Sequence, residues 1–163
     1  MAGYQWRRRR LMPDNRPVIE LRETSGPDEY PRLVRIWRSS VDATHHFLAS
    51  ADRDEIEGNL ADSYFPQVRL TVADLDGRPV GFAGTADREL VMLFVDADAR
   101  GRGIGGALLD HVVAEQGVRT VDVNEQNEQA VGFYARKGFT VAGRSATDGE
   151  GRPYPLLHLA LAG

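Results

Sequence analysis

The sequence predicts one α/β domain, a mixed sheet with helices on both faces. Three observations carry this. Two alternating segments flank the turn dipeptide Asp76-Gly77; an uninterrupted apolar run, Leu90–Val95, follows; and a glycine-rich turn then leads into a helix and another short strand. At 163 residues the chain has enough material for one real core and too little for two.

Taken in order, the chain opens on Arg7-Arg-Arg-Arg10 followed by Met12-Pro-Asp-Asn-Arg-Pro17, which lacks the apolar core of a secretory signal. Residues 1–17 are expected to form a flexible basic arm, residues 18–163 the domain, and the protein to be cytoplasmic. Val18–Arg22 alternates like a half-buried strand and is stopped by Gly26-Pro27. From Asp28 to about Phe47, Leu33, Val34, Trp37 and Val41 recur at helical spacing, and Ala51 to Phe65 repeats the pattern with Ile56, Leu60 and Tyr64. Val68–Val72 and Pro79–Ala83 should then pair as an antiparallel hairpin. Leu90–Val95 is apolar at every position, as suits a central strand covered on both faces. Gly103 to about Gln116 reads as a helix with Ile104, Leu108 and Val112 on one stripe, and Arg119–Val123 as a strand, so the unit is a parallel crossover. A helix from Asn127 to Lys137 should end at Gly138, before strands at Phe139–Arg144 and Leu156–Leu161.

Composition excludes several classes. Hydrophobic residues at 42% and charged residues at 27% fit a soluble globular chain, and no apolar run approaches a bilayer span. A net charge of −4 argues against nucleic acid as a partner, the short arginine run aside. With no cysteine there is no disulfide, no thiolate metal site and no cysteine nucleophile. The histidines at 45, 46, 111 and 158 show no metal-ligand spacing, so no metal is expected.

Between the apolar strand and the helix lies Arg100-Gly-Arg-Gly-Ile-Gly-Gly106, where main-chain amides can converge on a phosphate at the positive end of a helix. Gly101, Gly103 and Gly106 also satisfy Gly-x-Gly-x-x-Gly, and Asp122 could pose as the acidic ribose partner of a dinucleotide. That reading fails on position and spacing: the unit lies past mid-chain, and Asp96-Ala-Asp-Ala-Arg100 separates strand from glycines where a dinucleotide turn is tight.

Arg100-x-x-Gly103-x-Gly105 resembles the Gln/Arg-x-x-Gly-x-Gly/Ala signature of the GNAT superfamily of N-acetyltransferases, with Leu93-Phe-Val-Asp96 before it and Asn124 to Phe139 after it in the family's order. The resemblance spans roughly residues 18 to 162; around Ser40–His45 and the Asn-Glu-Gln-Asn run it is to small bacterial members of the YjaB type, linked to lysine acetylation. It implies a mixed, mostly antiparallel central sheet of about six to seven strands. It also implies acetyl-CoA as cosubstrate, with the pyrophosphate on Arg100, Gly101, Arg102, Gly103, Ile104, Gly105 and Gly106, and the pantetheine arm along the backbones of Leu93, Phe94 and Val95. Asn127 would bond the pantetheine, and alternatively reads as a helix N-cap. Tyr134 would give a proton to the departing thiolate, and a main-chain N–H near Phe94 or Val95 would polarise the acetyl carbonyl. For the base, Glu89 stands first, with His45, Asp42 and His158 as alternatives. The expected activity is direct transfer to a primary amine, of a protein lysine or a small molecule, in a ternary complex; the competing class is an acyl-CoA-binding sensor on the same fold. Relatives are often homodimers, and no membrane or nucleic-acid partner is expected.

Overall fold

The computed structural model describes residues 18–162, so the predicted basic arm, residues 1–17, lies outside the described residues. The strands are β1 (Ile19–Glu23), β2 (Arg69–Leu75), β3 (Arg78–Ala86), β4 (Glu89–Val95), β5 (Thr120–Asn124), β6 (Phe139–Ser145) and β7 (Leu156–Leu161). The α-helices are α1 (Tyr30–Thr44), α2 (Ser50–Asn59), α3 (Ile104–Gln116) and α4 (Glu128–Arg136). One seven-stranded sheet runs β1-β2-β3-β4-β5-β7-β6, and only β4 and β5 pair in parallel. The predicted mixed, mostly antiparallel sheet with helices on both faces is therefore present.

Local chemistry explains the elements. Asp76 and Gly77 both take positive φ, 52° and 81°, between the paired ends Leu75 and Arg78, as a two-residue hairpin turn compatible with strand twist requires. Helix α1 buries Leu33, Ile36, Trp37 and Val41 against one sheet face, joined by Leu60, Phe65, Phe82 and Met92. Helix α3 buries Ile104, Leu108, Leu109 and Val112 against the other face, where Tyr134 of α4 and Leu159 of β7 complete the layer. The predicted second helix is shorter than its periodicity suggested: after Asn59 the chain opens into a wide turn, Leu60–Tyr64, and a tight one, Phe65–Gln67, which tuck Leu60 and Phe65 into the core. At the first sheet edge Arg22 holds Asp74 at 2.8 Å and Glu29 at 2.5 Å. Burial alone would raise the Glu29 pKa, but the Arg22 guanidinium, the Ser25 N–H and the Thr24 hydroxyl outweigh it and hold it down to about 2.

Strand β4 corrects one expectation. It is central, yet it is not covered on both faces, because Val91 is 47% exposed and Leu93, Phe94 and Val95 are only half-buried. The register gives the reason: Gly84 opposes Met92 and Thr85 opposes Leu90, so Val91 is an extra residue, a β-bulge. Leu90 consequently faces the α3 layer while Met92 and Phe94 face the α1 layer. Pairing with β5 stops at Glu89–Thr120 and Leu90–Val121, and past the bulge the two strands diverge. The apolar run was therefore not the sign of double coverage but the lining of a split in the sheet.

Candidate active site

The split is extended by the loop that follows β4. Asp96 anchors it: its carboxylate accepts from the Ser39 hydroxyl at 3.0 Å, from the Asp98 N–H at 3.1 Å and from Arg32 at 3.2 Å, fixing the strand end against α1. The chain then turns through Gly101 and Gly103, with φ of 78° and 80°, and α3 begins at Ile104 with Gly103 as its cap. A β-carbon at either glycine would meet no neighbour within 4 Å, so it is backbone conformation and not crowding that selects glycine there.

A cleft of about 570 Å³ opens over this loop, between the end of β4, the start of α3 and α4. It gathers Leu93, Phe94, Val95, Arg100, Gly101, Gly103, Ile104, Gly105 and Gly106 with Asn127, Tyr134 and His45. Arg102 is exposed and does not line this cleft. Arg100 reaches Gln129 of α4 at 2.6 Å, tying the loop to the opposite wall. Asn127 is the N-cap of α4, accepting from the Ala130 N–H at 3.2 Å, and also borders the cleft.

Tyr134 is only 6% exposed, packed edge-on against Phe133 and Phe139, and its pKa is raised by that burial. Among the described residues nothing hydrogen-bonds its hydroxyl, and Tyr134 borders both the cleft and the split. The split itself is a gap of about 140 Å³ between Leu90–Phe94 and Val121–Asn124. Beyond it, on the α1 and α2 side of the sheet, lies a second cavity of about 370 Å³. Its walls are apolar (Trp37, Val41, Leu60, Met92) and its rim carries Glu89, Asp122, Glu150 and Tyr64. Burial raises the Glu89 pKa above the usual carboxylate value, the nearby Asp122 charge adds to the rise, and His158 opposes it.

The alternative bases separate. His45, at the C-terminal end of α1, borders all three spaces. Asp42 borders none of them; it is 47% exposed and bound to Arg38 at 3.0 Å and Arg53 at 3.1 Å. Val41, Thr44 and His45 line the cavities, and the step of about 100° per residue carries Asp42 past their arc of the helix. His158 also borders none: its Nδ1 donates to Asp122 at 2.6 Å and its Nε2 meets the Ser145 hydroxyl at 2.6 Å, so it braces Asp122.

Sequence reasoning missed the β6–β7 connection, which supplies Asp148, Glu150, Arg152 and Tyr154 to the second cavity. The Tyr154 hydroxyl donates to Asp52 and accepts from the Ala49 N–H at 3.0 Å, while Arg152 bridges Asp148 at 3.4 Å and Glu55 at 3.1 Å. The loop is thereby fastened to α2. Pro153 and Pro155 around Tyr154 were the available signal, a stiffened segment in a stretch otherwise read as a connector. Among the described residues no group of three or more His, Asp or Glu is placed to hold a metal ion, and no helix is long and apolar enough to cross a membrane.

Comparison with known proteins agrees with this geometry. Residues 66–141 match the acetyltransferase (GNAT) domain family. The chain is 47% identical over 147 residues to peptidyl-lysine N-acetyltransferase YjaB of Escherichia coli, covering 90% of this chain and 99% of that one. It is 48% identical over 143 residues to the protein of the same name from Salmonella typhimurium, covering 87% and 97%. Among solved structures, apo YjaB from Escherichia coli superposes with a TM-score of 0.80 at 46% identity, over 90% of this chain and 99% of that one. The Thermoplasma acidophilum PaiA N-acetyltransferase in complex with coenzyme A shares the fold, with a TM-score of 0.67 at 19% identity over 86% and 98%. A bulged central strand, a glycine loop at the start of a helix and relatives matched along nearly their full length lead to one conclusion: this chain is an acetyltransferase belonging to the GNAT family, similar to its YjaB-type members.

Proposed function

We propose that the enzyme moves the acetyl group of acetyl-CoA directly to the side-chain amine of a protein or peptide lysine within a ternary complex. The observation that carries this reading is the meeting of two cavities, one on each side of the sheet, at the gap opened by the Val91 bulge. Two reactants can enter from opposite sides and touch there, which is what direct transfer needs.

In this reading the pyrophosphate lies on the main-chain amides of Gly101 to Gly106, and the pantetheine runs along the free edge of Leu93, Phe94 and Val95 as an added strand would. The acceptor arrives as an ammonium through the second cavity, whose apolar walls suit a lysine stem and whose carboxylates favour its charge. The names of the YjaB relatives support lysine as the acceptor. Glu89, directly or through water, takes the first proton. The neutral amine attacks the thioester carbon, a main-chain N–H near Phe94 or Val95 steadies the developing oxyanion, the new C–N bond forms and the C–S bond breaks. Tyr134 gives its proton to the thiolate and is restored by the second proton leaving the nitrogen, so each turnover releases one proton. A phenol whose pKa is raised by burial holds its proton until a thiolate demands it.

Initial rates with acetyl-CoA and a lysine peptide varied together test the scheme. Intersecting double-reciprocal lines and a peptide heavier by one acetyl group are expected; parallel lines, or acetyl-CoA binding without turnover on any amine, would overturn it.

A further inference from the structure

Among the described residues only His45 and Phe94 border the donor cleft, the split and the acceptor cavity together. Phe94 is hydrocarbon, so the imidazole is the one polar side chain common to all three. Its orientation follows from counting protons. The Thr44 hydroxyl lies 2.8 Å from the Ser40 carbonyl oxygen and 2.7 Å from His45 Nδ1. A carbonyl oxygen has no proton to give, so the single hydroxyl proton of Thr44 goes to Ser40. Thr44 is then an acceptor towards His45, which places a proton on Nδ1 and leaves the lone pair on Nε2. Nε2 has no hydrogen-bond partner among the described residues and is not sealed from the solvent-filled space. Phe47 and Phe94 flank the ring, at centroid distances of 5.2 Å and 6.4 Å. Burial, with His46 beside it, lowers the ring's pKa to about 4, in keeping with an imidazole that stays neutral.

We propose that His45 Nε2 is the hydrogen-bond acceptor for the attacking amine, holding one N–H of the neutral nitrogen so that its lone pair points through the split at the thioester carbon. This rests on the direct-transfer reading and deepens it: Glu89 removes the ammonium proton at the rim, while His45 aims the amine at the junction without titrating in the working range. The role is assigned by position and tautomer together. An imidazole with its proton on Nε2 would instead repel the N–H groups of the amine.

Two measurements test this. Imidazole 15N shifts of the wild-type enzyme near neutral pH should show His45 protonated at Nδ1 and bare at Nε2; the opposite tautomer, or an imidazolium, overturns the proposal whatever the activity. In kinetics, His45→Phe keeps the ring size and loses the acceptor, and is expected to lower kcat about a hundredfold. His45→Gln keeps an acceptor oxygen and should recover at least a tenth of the wild-type rate. Acetyl-CoA binding, followed by calorimetry, should be unchanged in both. A His45→Phe enzyme that turns over like wild type sinks the role of His45 alone, whereas loss of acetyl-CoA binding by the wild type would sink the underlying transfer reading.

Discussion

The cleft over the glycine loop takes its floor from the main chain of one local stretch, Leu93 to Gly106, with α4 and the end of α1 as walls, whereas the cavity beyond Val91 is built from side chains that arrive from α1, α2, β4, β5 and the β6–β7 loop. Main-chain amides offer the same donors whatever residue carries them, so the first space suits a ligand that never changes. The second is shaped in part by side chains such as Tyr64 and Glu150, which lie outside the strands and helix starts, and suits a ligand that differs between relatives. Constancy and variability are thus assigned to opposite sides of one sheet.

The contrast can be broken at its meeting point first. Tyr134→Phe removes the proton offered to the thiolate while keeping the ring packing, and should lower kcat a hundredfold or more with the melting temperature and acetyl-CoA affinity retained. Glu89→Gln should follow, with a loss of order a hundredfold in kcat/KM. Because the Glu89 pKa is raised, the wild-type rate should fall with acid at a pH above the ordinary 4.5 of a glutamate. Asp122→Asn removes a charge that contributes to the rise, so the acid limb of the pH profile should move to lower pH. On the donor side alone, Gly103→Val forces a branched side chain to φ of 80°, at a cost of about 1–2 kcal/mol. If the loop relaxes to escape it, the KM for acetyl-CoA should rise about tenfold and that for peptide should not. On the acceptor side alone, Tyr154→Phe breaks the tie to Asp52 and should raise the peptide KM a few-fold with acetyl-CoA unaffected. A change in both KM values for either substitution would mean that the two spaces are not independent.

Outside both spaces, Glu29 offers the smallest effect on catalysis. Its folded pKa of about 2 lies below the reference 4.5, so its contribution, on the order of 3 kcal/mol, is fully present above pH 4.5 and is lost as pH falls towards 2. Glu29→Gln should therefore lower the melting temperature at neutral pH, narrow the gap from wild type in acid, and leave both KM values alone.

What the sequence disclosed divides along the same line. The hairpin at Asp76-Gly77, the glycine loop, the Asn127 cap and the position of Tyr134 were readable because each depends on residues a few positions apart. The bulge at Val91 was not, since an apolar strand carries no mark of which residue its partner will skip. Nor was the outer wall of the acceptor cavity, where Tyr154 meets a carboxylate 102 positions earlier and Arg152 reaches back to Glu55. Nor was it readable that Val41 and His45 line the cavities and Asp42 does not, a rotation about the helix axis that periodicity resolves only when the apolar stripe is complete.

The extra residue in β4 also sets a rule for which genetic changes this strand can absorb. Side chains alternate between the two layers, and the bulge reverses that alternation between Leu90 and Met92. Replacing Val91 alters one exposed side chain, whereas deleting it would leave Leu90, Met92, Leu93, Phe94 and Val95 in the layers they already occupy and remove only the bulge past which β4 and β5 diverge. The strand is therefore permissive to point mutation at its most exposed apolar position, while a single-codon loss there would spare the core and take away the opening, so the length of this segment serves the site and not the fold.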